Sequence, residues 1–296
     1  KPMKNKICLG TAKVGIPSYG HSTTNRSNNN DLFVRATEIG IDCFDTSPRY
    51  GSAESILGGF VNKHKKKLFI STKIDNLNIN NKHVIYNKMR ESVLRSIENL
   101  NIESIDLCYL HQNELSVISN KYVLEGLSRL KNEGLIDKIG ASIYSFDELD
   151  FTLESNNFDW VQVPVNILDT SFYNHIIESG STIKIAARSI FLQGILFDTK
   201  QIEKCTPDAY QMISLLKRIK LLGHKHNLKL VDISIAYVHS LEFIDQVLVG
   251  TGSVKNLNKI KKSSEISLNE EIRHAINKIS LVNKPWTNPR MWSKNA

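Results

Sequence analysis

Phe44-Asp45-Thr46-Ser47-Pro48-Arg49-Tyr50-Gly51-Ser52-Ala53-Glu54, followed by Leu57-Gly58, runs from an apolar stretch through a turn into a helical pattern. A carboxylate closes the strand-like run Ile41–Asp45, and a tyrosine follows in the turn. If that strand belongs to a barrel, the carboxylate sits at the catalytic rim and the tyrosine can point into the mouth. Two later runs end in the same manner. Phe69-Ile70-Ser71-Thr72-Lys73 delivers a lysine, and Leu107-Cys108-Tyr109-Leu110-His111 delivers a histidine.

Working outward, β-type runs recur at Ile7–Gly10, Ile41–Asp45, Leu68–Thr72, Ile105–Leu110, Lys138–Ser142, Trp160–Pro164, Ile183–Ala187 and Gln246–Val249. Amphipathic segments separate them. Between His83 and Leu100, for example, Val84, Ile85, Met89, Val93, Ile97 and Leu100 recur at helical spacing, and Tyr122 to Leu135 ends near Gly134. Eight alternating units without a Pro/Gly/Ser-rich linker predict a (β/α)8 TIM barrel spanning residues 1–296 as one domain. Two connections are longer than turns require, Val14 to Asn30 and Leu196 to Pro207; such loops are either mobile decoration or lids over the strand C-termini, and lids are the favoured reading.

Composition agrees with a globular chain: of 296 residues, 41% are hydrophobic and 23% charged. No window approaches a membrane span and no signal-peptide pattern opens the chain, so a cytoplasmic location is expected, without membrane association. Cys8, Cys43 and Cys108 lie in apolar runs and read as buried thiols; no metal site is expected. The formal charge of +8 suits an anionic ligand. Its densest run, Lys63 to Lys67, reads as a solvated face, so nucleic-acid binding is not expected. No Gly-x-Gly-x-x-Gly follows an early strand. His21, His64, His83, His175, His224, His226, His239 and His274 read as surface or packing residues. Nothing in the residues specifies an oligomer.

The strand-terminal segments resemble the motifs of the aldo-keto reductase family in order, spacing and residue type, along essentially the whole chain. The resemblance implies a catalytic tetrad of Asp45, Tyr50, Lys73 and His111, with Tyr50 as proton donor and acceptor. The chemistry is coherent on its own terms. A free tyrosine has a pKa of about 10, and an adjacent Lys73 ammonium would stabilise its anion. Asp45 would hold that ammonium in place, while His111 would hydrogen-bond the substrate oxygen and orient the carbonyl.

None of these side chains supplies hydride, so the resemblance implies a nicotinamide cofactor, NADPH or NADH with a lean to NADP. Ser142 and Gln162 stand where the family binds the carboxamide, although Ile143 replaces its usual Asn. Arg188 stands where an aromatic ring often stacks on nicotinamide. Cofactor contact is the favoured reading of Arg188, and binding of an anionic substrate group the alternative. Ser189, Leu192 and Gly194 would lie along the pyrophosphate. Gly250, Ser253 and Lys255 fall in the segment that opens a helix after the last strand, where phosphate binds in the family. Gly252 departs from the Arg or Lys of many NADPH-preferring members, and Lys259-Ile260 from the usual Glu-Asn.

The expected partner is a small carbonyl substrate. Val163-Pro164-Val165-Asn166-Ile167-Leu168-Asp169 and the run from Arg188 to Gly194 resemble a bacterial branch associated with surface-sugar biosynthesis, which implies a keto-sugar or sugar-nucleotide substrate. Specificity is expected from the loops and from the tail Lys284 to Trp292. The competing reading is a nicotinamide-sensing regulatory protein on the same scaffold, which has no need of an intact tetrad.

Overall fold

Strands covered on both faces need apolar side chains throughout, and the Ile-, Val- and Leu-rich runs meet that need. In the computed structural model, which describes residues 5–16, 18–19, 27–64, 66–75, 77, 79–111 and 114–279, eight such strands form. They are β1 (Ile7–Gly10), β2 (Cys43–Asp45), β3 (Phe69–Ile74), β4 (Ile105–Leu110), β5 (Ile136–Ser142), β6 (Trp160–Pro164), β7 (Lys184–Arg188) and β8 (Ile244–Gly250). They pair in chain order and close into a barrel, and every pairing is parallel, the β1–β8 seam included. Helices occupy each crossover, as parallel pairing demands.

The tail from Lys284 to Trp292, His21, and part of the Val14–Asn30 connection lie outside the described residues. The Leu196–Pro207 connection is partly helical. Its central helix, Thr199–Cys205, starts at Asp198, whose carboxylate accepts from the backbone N–H groups of Lys200 and Gln201. Ile202 and Cys205 then bury their side chains. A capping carboxylate with two apolar anchors is enough to convert a loop into a helix turn. Lys63, Lys66 and Lys67 are exposed, as read from the sequence.

Inside the barrel, Leu107, Tyr109, Trp160 and Ala186 pack together with Phe69 and Leu248 against them, so the lumen below the rim is filled. A larger core lies between strands and helices. The helices Ala53–Val61 and Lys82–Leu100 meet at Gly58, where a Cβ would overlap the carbonyl oxygen of Asn99. Gly58→Ala is therefore expected to cost about 2 kcal/mol, because backbone rather than a flexible side chain must move. Urea unfolding of the two proteins checks it, and equal midpoints would refute the close approach.

Candidate active site

The C-terminal ends of the strands surround a cavity of about 750 Å³. Asp45, which ends β2, and His111, which follows β4, line it, and Lys73, near the end of β3, pairs with Asp45. Lys73 Nζ donates to Asp45 Oδ1 at 2.6 Å and to the Thr46 carbonyl at 2.7 Å. Asp45 Oδ2 accepts from Ser71 Oγ at 3.0 Å and from Gln162 Nε2 at 3.2 Å. The ion pair is almost wholly buried, with side-chain exposures of 1% and 4%. Such a pair survives burial only when its remaining hydrogen-bonding capacity is filled, and here it largely is.

Tyr50 reaches the same cavity from the turn after β2, with its ring centroid 5.2 Å from Lys73 Nζ and 6.5 Å from the His111 ring. The turn is held close by Gly15, where a Cβ would overlap the Tyr50 carbonyl oxygen. Asp45, Tyr50, Lys73 and His111 thus converge as expected, but Lys73 meets the face of the phenol ring and gives its protons to Asp45 and Thr46. Burial dominates the phenol, pushing its pKa up, with Asp45 and Tyr144 adding to the shift and Arg188 opposing it. Desolvation thus works against the acidity that a neighbouring ammonium is expected to give Tyr50.

The pH consequence follows from that sign. A raised phenol pKa keeps Tyr50 protonated as pH climbs past the ordinary tyrosine value of about 10. If Tyr50 is the proton donor and acceptor that the resemblance implies, carbonyl reduction should lose no donor over that range, and alcohol oxidation, which would need the phenolate, should keep rising without a plateau. Rate profiles in both directions test this. A reduction rate falling near pH 9 through Tyr50 ionisation would contradict it.

Ser142 Oγ donates to Gln162 Oε1 at 3.2 Å across the β5–β6 pair. Both side chains line the cavity together with Arg188, Ser189, Gly194 and Gly250. Arg188 is 9% exposed, donates to the Ile143 carbonyl at 2.6 Å and to Ser189 Oγ at 3.2 Å, and sits over the Tyr144 ring with Cζ 3.8 Å from its centroid. The two departures read at positions 143 and 188 are neighbours in space. After β7, Ser189, Leu192, Gln193 and Gly194 all have positive φ, an uncommon run that turns the backbone of Ser189 to Gly194 along the cavity wall.

Three residues expected to bind cofactor are not in the wall. Leu192 is buried, Lys255 is exposed, and Ser253 caps the helix Val254–Ser264 by accepting from the Asn256 N–H. Ser27 Oγ takes the Val254 N–H at 2.9 Å, so two of that helix's leading donors are already used. Asn256 and Lys259 line the cavity instead. Sequence reading also passed over Tyr19, Tyr144 and Asp75. Tyr144 and Asp75 each stand two positions beyond a residue that was singled out, Ser142 and Lys73, and that alternation along an extended chain was the available signal. Among the described residues, no cluster of His, Cys, Asp or Glu could hold a metal ion, and no helix is long and apolar enough to cross a membrane.

The profile of the Aldo/keto reductase family matches residues 6–281, and the chain belongs to that family. It is an oxidoreductase acting on carbonyl and alcohol groups. It is 23% identical over 258 residues to D-arabinose 1-dehydrogenase of Saccharomyces cerevisiae, covering 80% of this chain and 76% of that protein. It is 24% identical to D-threo-aldose 1-dehydrogenase of a Pseudomonas species, covering 81% and 86%. A solved glycerol dehydrogenase from Gluconobacter oxydans superposes with a TM-score of 0.73 at 19% identity, covering 93% of this chain and 91% of that one. Aldo-keto reductases generally use NAD(P)H and act on small carbonyl compounds.

Proposed function

We propose that this protein moves hydride between a nicotinamide cofactor and the carbonyl carbon of a small sugar-like substrate, with Tyr50 exchanging the proton. The observation that carries the proposal is the convergence of Tyr50, His111 and the buried Lys73–Asp45 pair at one cavity. Bound cofactor supplies the hydride that no side chain can. The residues present suit it. Ser142 and Gln162 offer a donor and acceptor set for an amide, Arg188 and Lys259 place two cations along the wall, and the backbone at Gly194 and Gly250 carries no side chain to obstruct a ligand.

In this reading Tyr50 gives its proton to the carbonyl oxygen during reduction and recovers it during oxidation. Lys73 and Asp45 keep a fixed dipole beneath the phenol. Arg188, braced on Tyr144 and on the Ile143 carbonyl, presents a planar cation to the cofactor side of the cavity. A keto-sugar or sugar nucleotide is the substrate class proposed, in keeping with the two aldose dehydrogenases that the chain resembles. We assign any choice of NADPH over NADH to Lys259, which lines the cavity, rather than to Lys255, which is exposed.

Fluorescence titration with NADH and NADPH, followed by a carbonyl panel read through reduced-nicotinamide absorbance, tests the proposal. Binding with turnover supports it. Tight binding with no turnover on any aldose, keto-sugar or simple aldehyde would overturn it in favour of a regulatory protein.

A further inference from the structure

Carboxylates are scarce around the cavity. Among the described residues that line it, Asp45 is the one acid and is spent on Lys73, whereas Lys13, Arg49, Arg188 and Lys259 are all cationic. Arg49 pairs with Asp75. Arg188 has no acidic partner among the described residues: it donates to the Ile143 carbonyl and to Ser189 Oγ, meets the Tyr144 ring, and buries an Nε that has no hydrogen bond. A guanidinium stays charged at any working pH, so a positive charge is held at this point of the wall.

The strand ends show what that charge faces. Ser142, Gln162 and Arg188 come from three consecutive strands, β5, β6 and β7. Arg188 pairs in register with Pro164, two positions beyond Gln162, and its hydrogen bond to Ile143 is one position beyond Ser142. It is also within electrostatic reach of the Tyr50 phenol, whose ionisation it favours. A nicotinamide ring that sets its amide on Ser142 and Gln162 and its reacting carbon beside Tyr50 therefore has Arg188 as its charged neighbour.

Reduced, that ring is neutral; once a hydride has passed to the carbonyl carbon, whose oxygen takes a proton, the ring carries one positive charge. The phosphates of the cofactor are charged alike in both states. A cation held beside the ring discriminates between them, because like charges a few ångströms apart repel strongly away from bulk water. An aromatic side chain in the same place would do the opposite, since its face attracts a cation.

We infer that Arg188 selects the redox state of the cofactor, accepting the neutral reduced nicotinamide and repelling the cationic oxidised one, so that the site is set for carbonyl reduction. This goes beyond the stacking role expected of Arg188 from the sequence, and it rests on the proposed hydride transfer. A diphosphate or an anionic substrate group would also satisfy the guanidinium, but neither contact separates the two redox states.

Equilibrium titration of the full chain reads the selection without turnover, through the fluorescence of bound NADH or NADPH and its displacement by NAD⁺ or NADP⁺. Within the pair that binds tighter, the wild type should hold the reduced form at least about tenfold more tightly than the oxidised one. Arg188→Met should cut that ratio about tenfold, and Arg188→Lys, which keeps the charge, should preserve most of it. If Arg188→Met does not fold, Arg188→Gln, which keeps a donor for the Ile143 carbonyl, takes its place. Equal affinities in the wild type overturn the inference. So does an unchanged ratio in a folded uncharged variant, including the equal weakening of both forms that loss of a diphosphate contact gives. Redox-selective binding without turnover on any carbonyl overturns the proposed hydride transfer and the reductive direction, and leaves the selection by Arg188 standing. Binding of neither form overturns both.

Discussion

Tyr50→Phe should lower carbonyl reduction by about three orders of magnitude while leaving nicotinamide affinity within a few-fold of wild type, because general acid catalysis by one positioned side chain is commonly worth that much. The substitution removes a single oxygen. The ring remains over Lys73 Nζ, 5.2 Å from its centroid, and still meets His111 edge to face. The loss should therefore fall on kcat and kcat/KM together, the pattern of an interaction made in the transition state. Half-buried, and with desolvation raising its pKa, Tyr50 keeps its proton at neutral pH. Single-turnover reduction with saturating cofactor is the measurement, and retention of wild-type rates would remove Tyr50 from the chemistry.

Lys73→Met should carry the largest stability cost of any single change at the site, about 3–5 kcal/mol, because it strands a buried carboxylate. Asp45 would keep only Ser71 and Gln162 as donors, both on Oδ2, and Oδ1 would lose its partner at 2.6 Å. Thr46 would lose the donor to its carbonyl as well. Adding Asp45→Asn should recover much of the loss, since the amide carries no charge to desolvate. Urea unfolding of both single variants and the double variant gives the coupling directly. Additive costs would mean that the two groups do not depend on each other, and activity should stay low in all three.

The barrel was legible because each strand and helix announces itself locally. Strand ends moved by a few residues, as when β5 began at Ile136 rather than Lys138, but none of the eight was lost. Asp45, Tyr50, Lys73 and His111 were readable for the same reason: each is the polar residue that ends an apolar run, or the turn that follows one. The unread features depend on partners far away in sequence. Ser27 caps a helix 227 residues later. Asp75 matters only because His111 and Arg49 arrive beside it from other elements. Arg188 could be read as a stacking cation, but its brace, Tyr144 and the Ile143 carbonyl, comes from the end of another strand. Desolvation of Tyr50 likewise belongs to the assembled cavity and to no segment of it.

The bridge from Ser27 to the segment after β8 joins the same two ends of the barrel as the β1–β8 pairing, and the Ser27 N–H also donates to the Gly252 carbonyl at 2.8 Å. Closing a loop of that length is entropically the most demanding step available to this chain, although the cost grows only slowly with length. The quartet does not wait on it, because β2, β3 and β4 pair with near neighbours. The wall carrying Gly10, Gly250 and Lys259 does. The proposed proton-transfer residues and the proposed cofactor wall are thus assembled at different ranges of contact order, and loosening the seam should weaken nicotinamide binding before it disturbs Asp45, Tyr50, Lys73 and His111.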